Sequence, residues 1–256
     1  MNQVLEVRKL LMRFGGLTAV NDFTMSLAEG ELVGLIGPNG AGKTTVFNAI
    51  TGMYRPTSGS IRYLGREIAG SRPHRIYQLG VARTFQNIRL FRELTVLDNV
   101  RVADHHRHGA GAVHSMLRSP RFRSEERKTT EHAREMLDIL GLADRQHEYA
   151  RNLPYGEQRR LEIARALVAD PRLLLLDEPA AGMNPSEVGR LMDLVRFVKE
   201  RFRLTVLLIE HQMKVVMGIC RRVVVMEFGE IIAEGSPEQV QNDPVVIEAY
   251  LGTSEV

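Results

Sequence analysis

A phosphate-binding motif near the amino terminus constrains this chain more than any other feature. Residues 37–45 read Gly-Pro-Asn-Gly-Ala-Gly-Lys-Thr-Thr, which matches a glycine-rich loop that ends in Lys43 and Thr44. The apolar run at residues 32–36 precedes the loop and predicts a buried strand, and residues 44–50 are compatible with a helix. Strand, loop and helix in this order is the context in which the motif is specific. We therefore predict that the loop binds phosphate groups.

The residue types in the motif suit a nucleotide. Glycines let backbone N–H groups point at a phosphate chain, and the start of the following helix adds positive potential. Lys43 is expected to bridge the β- and γ-phosphates, and the Thr44 hydroxyl is expected to bind Mg²⁺. The predicted phosphate-binding set is Gly37, Pro38, Asn39, Gly40, Ala41, Gly42, Lys43, Thr44 and Thr45.

Composition limits the class of protein. The chain has 256 residues, 44% of them hydrophobic and 25% charged, which is ordinary for a globular protein with a sizeable core. No apolar run is long enough to span a bilayer, and the charges in the first strand-like segment argue against a signal peptide. A net charge of +3 does not by itself indicate nucleic-acid binding. The single cysteine, Cys220, is predicted to be a core residue in a reducing compartment.

The order of strand-like and helix-like segments predicts an α/β fold. Residues 1–33 indicate a small β region, and residues 56–60 a turn. Further strands are predicted at residues 61–64, 173–176, 205–209, 223–226 and 230–234. Helical segments are predicted at residues 94–142, 161–169, 186–201 and from 237 onward, with polar loops and short helices at residues 104–128. Buried apolar strands that alternate with helices predict a parallel sheet with crossover helices.

Two predicted strands end in side chains that suit phosphate chemistry. Residues 173–176 are followed by Asp177 and Glu178, and residues 205–209 are followed closely by His211. The carboxyl ends of parallel strands meet at one edge of a sheet, so these side chains are expected beside the phosphate loop. Asp177 is expected to hold Mg²⁺, and Glu178 to orient or deprotonate the attacking water. His211 is expected to contact that water or the γ-phosphate, the alternative being a loop histidine without a role.

Two further segments extend the pattern to a known family. Residues 153–158 read Leu-Pro-Tyr-Gly-Glu-Gln and precede a helix whose buried face is predicted to hold Leu161, Ala164, Leu167 and Val168. Residues 84–86 read Thr-Phe-Gln and separate the first lobe from the helical stretch. With these motifs in order, the chain resembles the ATP-binding cassette (ABC) ATPases over nearly its whole length. The resemblance implies ATP and Mg²⁺ as ligands and hydrolysis of ATP to ADP and phosphate.

The resemblance also implies roles for individual residues. Gln86 matches the glutamine loop, which contributes to catalysis and contacts Mg²⁺, and residues 181–184 match the D-loop. Phe14 matches the aromatic residue that stacks on adenine, with Val20 lining the base, although a core aromatic is the alternative for Phe14. The signature loop, which contacts ATP held by a partner subunit, corresponds to Leu153, Pro154, Tyr155, Gly156, Glu157 and Gln158.

The implied architecture is one ABC ATPase domain over residues 1–256. It comprises an α/β P-loop core with an N-terminal antiparallel β subdomain, an inserted α-helical subdomain and a helical tail. The expected boundaries are 1–86 and 161–236 for the core with its β subdomain, 87–160 for the helical subdomain and 237–256 for the tail.

Some positions depart from the family pattern. Pro154 stands where the signature usually has serine, and Tyr155 and Glu157 replace glycine and glutamine. Asn184 stands where the D-loop often has aspartate. These departures put in doubt how strongly the signature loop supports hydrolysis in a partner's site, and a heterodimer with two unequal sites would tolerate them.

Within the family, the chain is most similar to the ATPases of branched-chain amino-acid importers. This resemblance rests on residues 83–91, 153–160, 179–185, 209–214 and 250–252. It implies a peripheral subunit on the cytoplasmic face of the inner membrane that works with two membrane permeases. A second related ATPase, or another copy of this chain, would complete the nucleotide sandwich. An external solute-binding protein would act indirectly, and no nucleic acid is expected.

Several alternatives remain at this stage. The ATPase could serve uptake of another amino acid or lipopolysaccharide export, since these transporters share most motifs. A soluble ABC ATPase that acts on DNA or ribosomes usually has long coiled coils or two cassettes, and the heptads of a coiled coil are not found. A P-loop kinase is disfavoured by the signature loop and the Asp-Glu pair. The arginines near residues 118–128 could face a bilayer, and the histidines at 105, 106 and 108 could bind metal, but a solvated loop explains both.

Overall fold

The computed structural model describes residues 2–104 and 120–251 of the chain. The chain divides into two compact units, the first formed by Met1–Gln86 with Arg172–Val256 and the second by Asn87–Pro171. Among the described residues, no helix is both long enough and apolar enough to cross a membrane.

The elements are numbered in chain order. The strands are β1 (Gln3–Phe14), β2 (Leu17–Ala28), β3 (Leu32–Ile36), β4 (Ser58–Tyr63), β5 (Arg66–Glu67), β6 (Val81–Arg83), β7 (Leu173–Asp177), β8 (Thr205–Ile209), β9 (Arg222–Glu227) and β10 (Glu230–Gly235). The helices are α1 (Lys43–Ile50), α2 (Pro73–Gln78), α3 (Val96–Asp104), α4 (Pro120–Ile139), α5 (Tyr155–Leu167), α6 (Pro185–Arg201), α7 (Met213–Ile219), α8 (Pro237–Gln241) and α9 (Pro244–Leu251). Short 3₁₀ turns lie at Ala143–Arg145 and Ala150–Asn152.

A six-stranded sheet forms the centre of the first unit, with the strand order β10-β9-β3-β8-β7-β6. All of its pairings are parallel except that of β9 with β10. Every residue of β3, β7 and β8 is buried, as expected for parallel strands that are covered on both faces. Because these three strands run in the same direction, the segments that follow them emerge at one edge of the sheet. That edge carries the candidate site.

A second, antiparallel sheet lies in the same unit, with the order β2-β1-β4-β5. Its apolar side chains, such as Val7 and Phe23, belong to one hydrophobic cluster with Leu35 of β3 and Phe47 of α1. Burial of these side chains is the main stabilising contribution to the unit, since apolar burial is worth roughly 25 cal/mol per Å². The phosphate-loop strand and its helix are therefore anchored in the core.

The second unit is helical and packs α3, α4 and α5 against one another. Its core includes one apolar face of α4 together with the residue that follows the helix, and these four residues are buried: Ala133, Met136, Leu137 and Leu140. The predicted buried face of α5 is also confirmed, since Leu161, Ala164, Leu167 and Val168 are fully buried. Cys220, in the first unit, is buried as predicted, and burial raises the pKa of its thiol to about 12.

Three sequence predictions are wrong in detail. Residues 58–60, expected in a turn, begin strand β4, because they pair with Arg8 and Leu11 of β1. Residues 120–128, expected as loops and short helices, belong to the long helix α4, which begins at Pro120. Helix α5 begins at Tyr155, so part of the signature loop forms its first turn. The histidines at 105, 106 and 108, for which metal binding was the alternative to a solvated loop, and the arginine at 118 lie outside the described residues.

Candidate nucleotide-binding site

The loop between β3 and α1 has a backbone that only glycine accommodates at two positions. Gly37 has φ = 145°, and a Cβ there would lie 2.0 Å from the carbonyl oxygen of Met226. Gly42 has φ = 100°, and its Cβ would lie 2.5 Å from the carbonyl oxygen of Ala19. The backbones of β9 and β2 therefore pack directly against the loop. This close packing fixes the conformation of the loop, whose N–H groups are expected to bind phosphate.

Lys43 is held inside the loop that precedes it. Its Nζ donates hydrogen bonds to the carbonyl oxygens of Gly37 (2.6 Å) and Pro38 (2.8 Å). Desolvation by burial lowers the pKa of Lys43, while the nearby carboxylates of Glu178 and Asp177 act in the opposite direction. The ammonium group is therefore held within the loop. Burial deprives it of solvation by water, and a phosphate chain bound there would stabilise its positive charge instead.

Asp177 ends β7 as predicted, and its carboxylate is paired with an arginine. Nη2 of Arg83 lies 2.6 Å from Oδ2 of Asp177, and both side chains are buried. Arg83 has no role that the sequence predicts, because local patterns do not reveal a side-chain contact between β6 and β7. The only signal in the sequence that Arg83 lies near the site is its position, two residues before Phe85 and three before Gln86.

Glu178 brings three of the predicted catalytic side chains together. Its Oε2 accepts a 2.7 Å hydrogen bond from Nε2 of Gln86 and lies 3.6 Å from Nδ1 of His211. The backbone of Glu178 has φ = 44°, a left-handed conformation that costs energy in a residue other than glycine. A glutamate held in this conformation directly after the buried Asp177 is a feature that recurs at functional sites.

A buried carboxylate links the segments that follow β7 and β8. Glu210 is fully buried and accepts hydrogen bonds from the backbone N–H groups of Ala180 (2.8 Å), His211 (3.2 Å) and Gln212 (3.3 Å). Burial raises the pKa of Glu210, and the three donors oppose that effect. This role of Glu210 is not predicted by the sequence, in which the only signal is a charged residue directly after an apolar strand.

The donor set suits Mg²⁺ better than a transition metal. The groups expected to hold it are the Asp177 carboxylate, the exposed Thr44 hydroxyl and the Gln86 amide, all oxygen donors of the kind that Mg²⁺ prefers. No cluster of three His, Cys, Asp or Glu residues with metal-binding geometry occurs in the described part of the chain.

Phe14 lies at the end of β1 and is 44% exposed, so it is not the core aromatic that was the alternative reading. Its ring meets that of Tyr54 edge to face, with centroids 5.2 Å apart and planes at 74°. Val20 is fully buried and approaches Gly42. The exposed ring of Phe14 is accessible for stacking, as the adenine prediction requires.

The signature segment lies in the second unit. Pro154 is the N-cap of α5 and, unlike serine, offers no side-chain hydrogen bond to the helix. Gln158 donates a 2.8 Å hydrogen bond to the carbonyl oxygen of Leu153, which ties the first turn back to the loop. The exposed Tyr155 accepts a hydrogen bond from the buried Arg159, at 3.1 Å. Gly156 and Glu157 lie in the first turn, where the N–H groups of Glu157 and Gln158 each donate a 2.9 Å hydrogen bond to the carbonyl oxygen of Pro154.

Asn184 performs the capping task that aspartate would perform in the D-loop. Its side-chain oxygen accepts 3.0 Å hydrogen bonds from the N–H groups of Ser186 and Glu187. The Glu187 carboxylate accepts in return from the N–H of Asn184, which completes a capping box at the start of α6. Asparagine and aspartate are equally good caps, so this departure leaves the D-loop anchored.

Comparisons with known proteins show which proteins this chain is similar to. The ABC transporter family model matches residues 20–181, and a model described as branched-chain amino acid ATP-binding cassette transporter matches residues 230–256. The high-affinity branched-chain amino acid transport ATP-binding protein LivG of Salmonella typhimurium is 49% identical over 249 residues, which covers 97% of this chain and 98% of LivG. The corresponding protein BraF of Pseudomonas aeruginosa is also 49% identical, with the same coverage. A crystal structure of an ATP-binding cassette of an ABC transporter in its ADP conformation has a TM-score of 0.86 and 30% identity, covering 98% of this chain and all of that one.

Proposed function

The chain belongs to the ABC transporter family of ATP-binding proteins, and we propose that it energises an importer of branched-chain amino acids. Its activity as a family member is hydrolysis of ATP to ADP and phosphate, coupled to transport. The observation that carries the proposed solute is the 49% identity to LivG over 97% of the chain. The match of residues 230–256 to the branched-chain amino acid model supports the same solute independently of the nucleotide motifs.

The first task of the site is to bind ATP in one orientation. The triphosphate would occupy the loop between β3 and α1, where Lys43 is held by two carbonyl oxygens at the base. The adenine would stack on the exposed ring of Phe14. When bound, Mg²⁺ would neutralise charge on the β- and γ-phosphates, held by Thr44, Asp177 and Gln86.

The second task is to direct a water molecule at the γ-phosphate. Glu178 is the group assigned to orient this water and accept its proton, and the N–H groups bound by Glu210 keep the following segments in place. His211 would donate a hydrogen bond to the γ-phosphate as the P–O bond to ADP breaks. The proton of the water moves to Glu178, and the phosphate leaves with the water oxygen attached.

The proposed assembly follows from the signature segment. Two ATPase subunits would pack head to tail, so that the start of α5 in one subunit contacts the γ-phosphate bound by the other. The second subunit would be a related ATPase or another copy of this chain. Two permeases would bind the pair at the cytoplasmic face of the inner membrane, and an external binding protein would deliver the amino acid.

Uptake measurements test the proposed function. A strain from which the gene has been deleted should lose uptake of radiolabelled leucine, isoleucine and valine, and the wild-type chain should restore it. Lys43→Ala should not restore uptake, because the site loses its main cation on the phosphates. Lys128→Ala is the matched control, since Lys128 is an exposed lysine on α4.

A second experiment identifies the partners. Tagged Glu178→Gln chain with Mg-ATP should recover two permeases and an ATPase from detergent-solubilised native membranes. Recovery of ribosomal or DNA-repair proteins without a membrane protein would contradict the importer assignment. Unchanged uptake of all three amino acids in the deletion strain would contradict the solute.

A further inference from the structure

Arg83 connects three parts of the nucleotide site through one side chain. It is the last residue of β6, and its Nη2 lies 2.6 Å from Oδ2 of Asp177, at the end of β7. Its Nη1 donates a 2.7 Å hydrogen bond to Oδ1 of Asn48, on the helix that begins at Lys43. The phosphate-loop helix and the carboxylate predicted to hold the metal are thus joined by one guanidinium group.

The surroundings of Arg83 restrict its movement. The exposed fractions of the Arg83 and Asp177 side chains are 7% and 5%. The guanidinium carbon lies 5.4 Å from the centre of the Phe47 ring and 5.1 Å from that of Phe85. Cation–π contacts of this kind become stronger when the cation is shielded from water. Nη1 of Arg83 also donates a 3.4 Å hydrogen bond to Oγ1 of Thr51. The charged group is therefore held by three hydrogen-bond acceptors and two aromatic rings.

We propose that Arg83 is a positioning residue for the metal carboxylate. By binding Oδ2 of Asp177, it fixes the rotation of the carboxylate and leaves Oδ1 as the oxygen that a metal ion can take. Groups that hydrogen-bond a ligating carboxylate orient it, and their loss typically weakens metal binding by 10- to 100-fold. This inference rests on the proposed function, which assigns Mg²⁺ to Asp177.

The chemistry of arginine is required for this role. The planar guanidinium presents separate N–H groups to Asp177 and Asn48 in fixed directions. A lysine could keep the positive charge, but its single nitrogen cannot match both acceptors in the same geometry. We therefore expect Arg83→Lys to retain part of the effect and Arg83→Met to lose it.

Nucleotide and metal binding should respond differently to these substitutions. The full-length variants are titrated with a fluorescent ATP analogue in EDTA, and their Mn²⁺ affinity in the presence of ATP is measured by electron paramagnetic resonance. We expect Mn²⁺ affinity to fall at least about 10-fold in Arg83→Met and by a smaller factor in Arg83→Lys. Affinity for the analogue in EDTA should stay within about threefold of wild type, because Lys43 and the loop are unchanged.

Arg222→Met provides the control for loss of an ion pair. Arg222 begins β9 and pairs with Glu31 at 2.7 Å. This pair lies where the parallel strands begin, whereas Asp177 lies where β7 ends. The Arg222→Met substitution should leave Mn²⁺ affinity unchanged. Circular dichroism checks that each variant folds. If Arg83→Met does not fold, the Mn²⁺ affinity of Arg83→Lys is the measurement that tests the inference.

Two outcomes would overturn the inference. One is Mn²⁺ affinity within twofold of wild type in the folded variants. The other is an equal loss of nucleotide affinity in EDTA and of Mn²⁺ affinity, which would assign Arg83 a purely structural role. Wild-type chain that binds no ATP in either condition would instead overturn the proposed function, and this inference would fall with it.

Discussion

The side-chain amide of Gln86 donates a 2.7 Å hydrogen bond to Oε2 of Glu178, the same oxygen that lies 3.6 Å from Nδ1 of His211. Three segments far apart in sequence, each following a different strand, therefore converge on one carboxylate oxygen. Gln86 thus contacts the group to which the proposed mechanism assigns water activation.

Gln86→Ala should separate hydrolysis from transport. It removes the donor to Glu178 but none of the groups that hold Lys43, so ATP affinity should stay within about threefold of wild type. In proteoliposomes with the permeases, the number of ATP molecules hydrolysed per amino acid transported should rise. Loss of ATP affinity with this ratio unchanged would contradict the prediction. Gln241→Ala, at an exposed glutamine that ends α8, is the matched control and should leave the ratio unchanged.

Glu178→Gln should retain ATP binding and stop hydrolysis. The amide preserves the shape of the side chain and can still accept from Gln86, but it cannot take a proton from water. We expect turnover to fall about 100-fold or more, within the range that general-base catalysis contributes. ATP should then hold two subunits together, which light scattering after size exclusion would detect. Glu200→Gln, an exposed position at the end of α6, should behave as wild type. Turnover by Glu178→Gln at the wild-type rate would assign water activation to another group.

Glu210→Gln should become more stable relative to wild type as pH rises. The pKa of Glu210 is raised by burial, so the folded chain binds its proton more tightly than the unfolded chain does. The contribution of neutral Glu210 is fully present below the ordinary value of 4.5 and is lost as pH rises through the raised pKa. Each unit that separates the two pKa values contributes about 1.4 kcal/mol to the free energy of unfolding. Glutamine does not titrate.

Urea unfolding of both chains across this pH range measures the effect. The difference in free energy of unfolding, Glu210→Gln minus wild type, should increase from pH 4.5 upward and then level off. A difference that does not depend on pH would show that Glu210 keeps its ordinary pKa. The Glu200→Gln variant, at an exposed position, is again the control, because it replaces a glutamate without changing Glu210.

Asn184→Ala should destabilise the chain by about 1 kcal/mol, the usual cost of losing an N-cap. The substitution removes the acceptor for the N–H groups of Ser186 and Glu187 at the start of α6. Asn184→Asp keeps that acceptor and should match wild type in urea unfolding. Equal destabilisation by both substitutions would contradict a capping role. A large fall in ATP affinity in either variant would also be unexpected, since the cap does not touch the phosphate loop.

The elements that could be predicted from sequence are those whose burial is uniform. Residues 32–36 and 205–209 form β3 and β8 with the predicted bounds, because strands covered on both faces consist mainly of apolar residues. The start of α4 was not predicted, because its first turns are strongly polar and contain no apolar residues at helical spacing before Thr129. Local sequence patterns indicate which residues are buried, and an exposed helix end contains few buried residues.

The site divides in the same way. The phosphate loop, Asp177 and His211 follow recognisable strands, so their shared edge could be predicted from the order of the elements. The contacts of Arg83 with Asp177 and of Glu210 with Ala180 could not, because each joins segments that are distant in sequence. Only the fold brings these partners together, and a single sequence contains no signal for such a pair.

Pro154→Ser tests whether the signature segment is weakened by its missing hydroxyl. Pro154 caps α5 without a side-chain hydrogen bond, and Glu157 stands three residues later. Serine would complete a capping box with Glu157, worth about 1 kcal/mol, while loss of proline increases the entropy of the unfolded chain and costs about 0.4–1 kcal/mol. These effects oppose each other, so the free energy of unfolding should change by less than about 1 kcal/mol.

With stability nearly constant, a change in turnover reports on the hydroxyl itself. We expect ATP hydrolysis by the assembled pair to rise several-fold in Pro154→Ser, because an added donor would reach the γ-phosphate of the partner site. Pro154→Ala is the control, since it removes proline without adding a donor. It should be less stable than wild type and hydrolyse ATP no faster. Equal turnover in both variants would mean that the backbone N–H groups at the start of α5 already supply what the partner site needs.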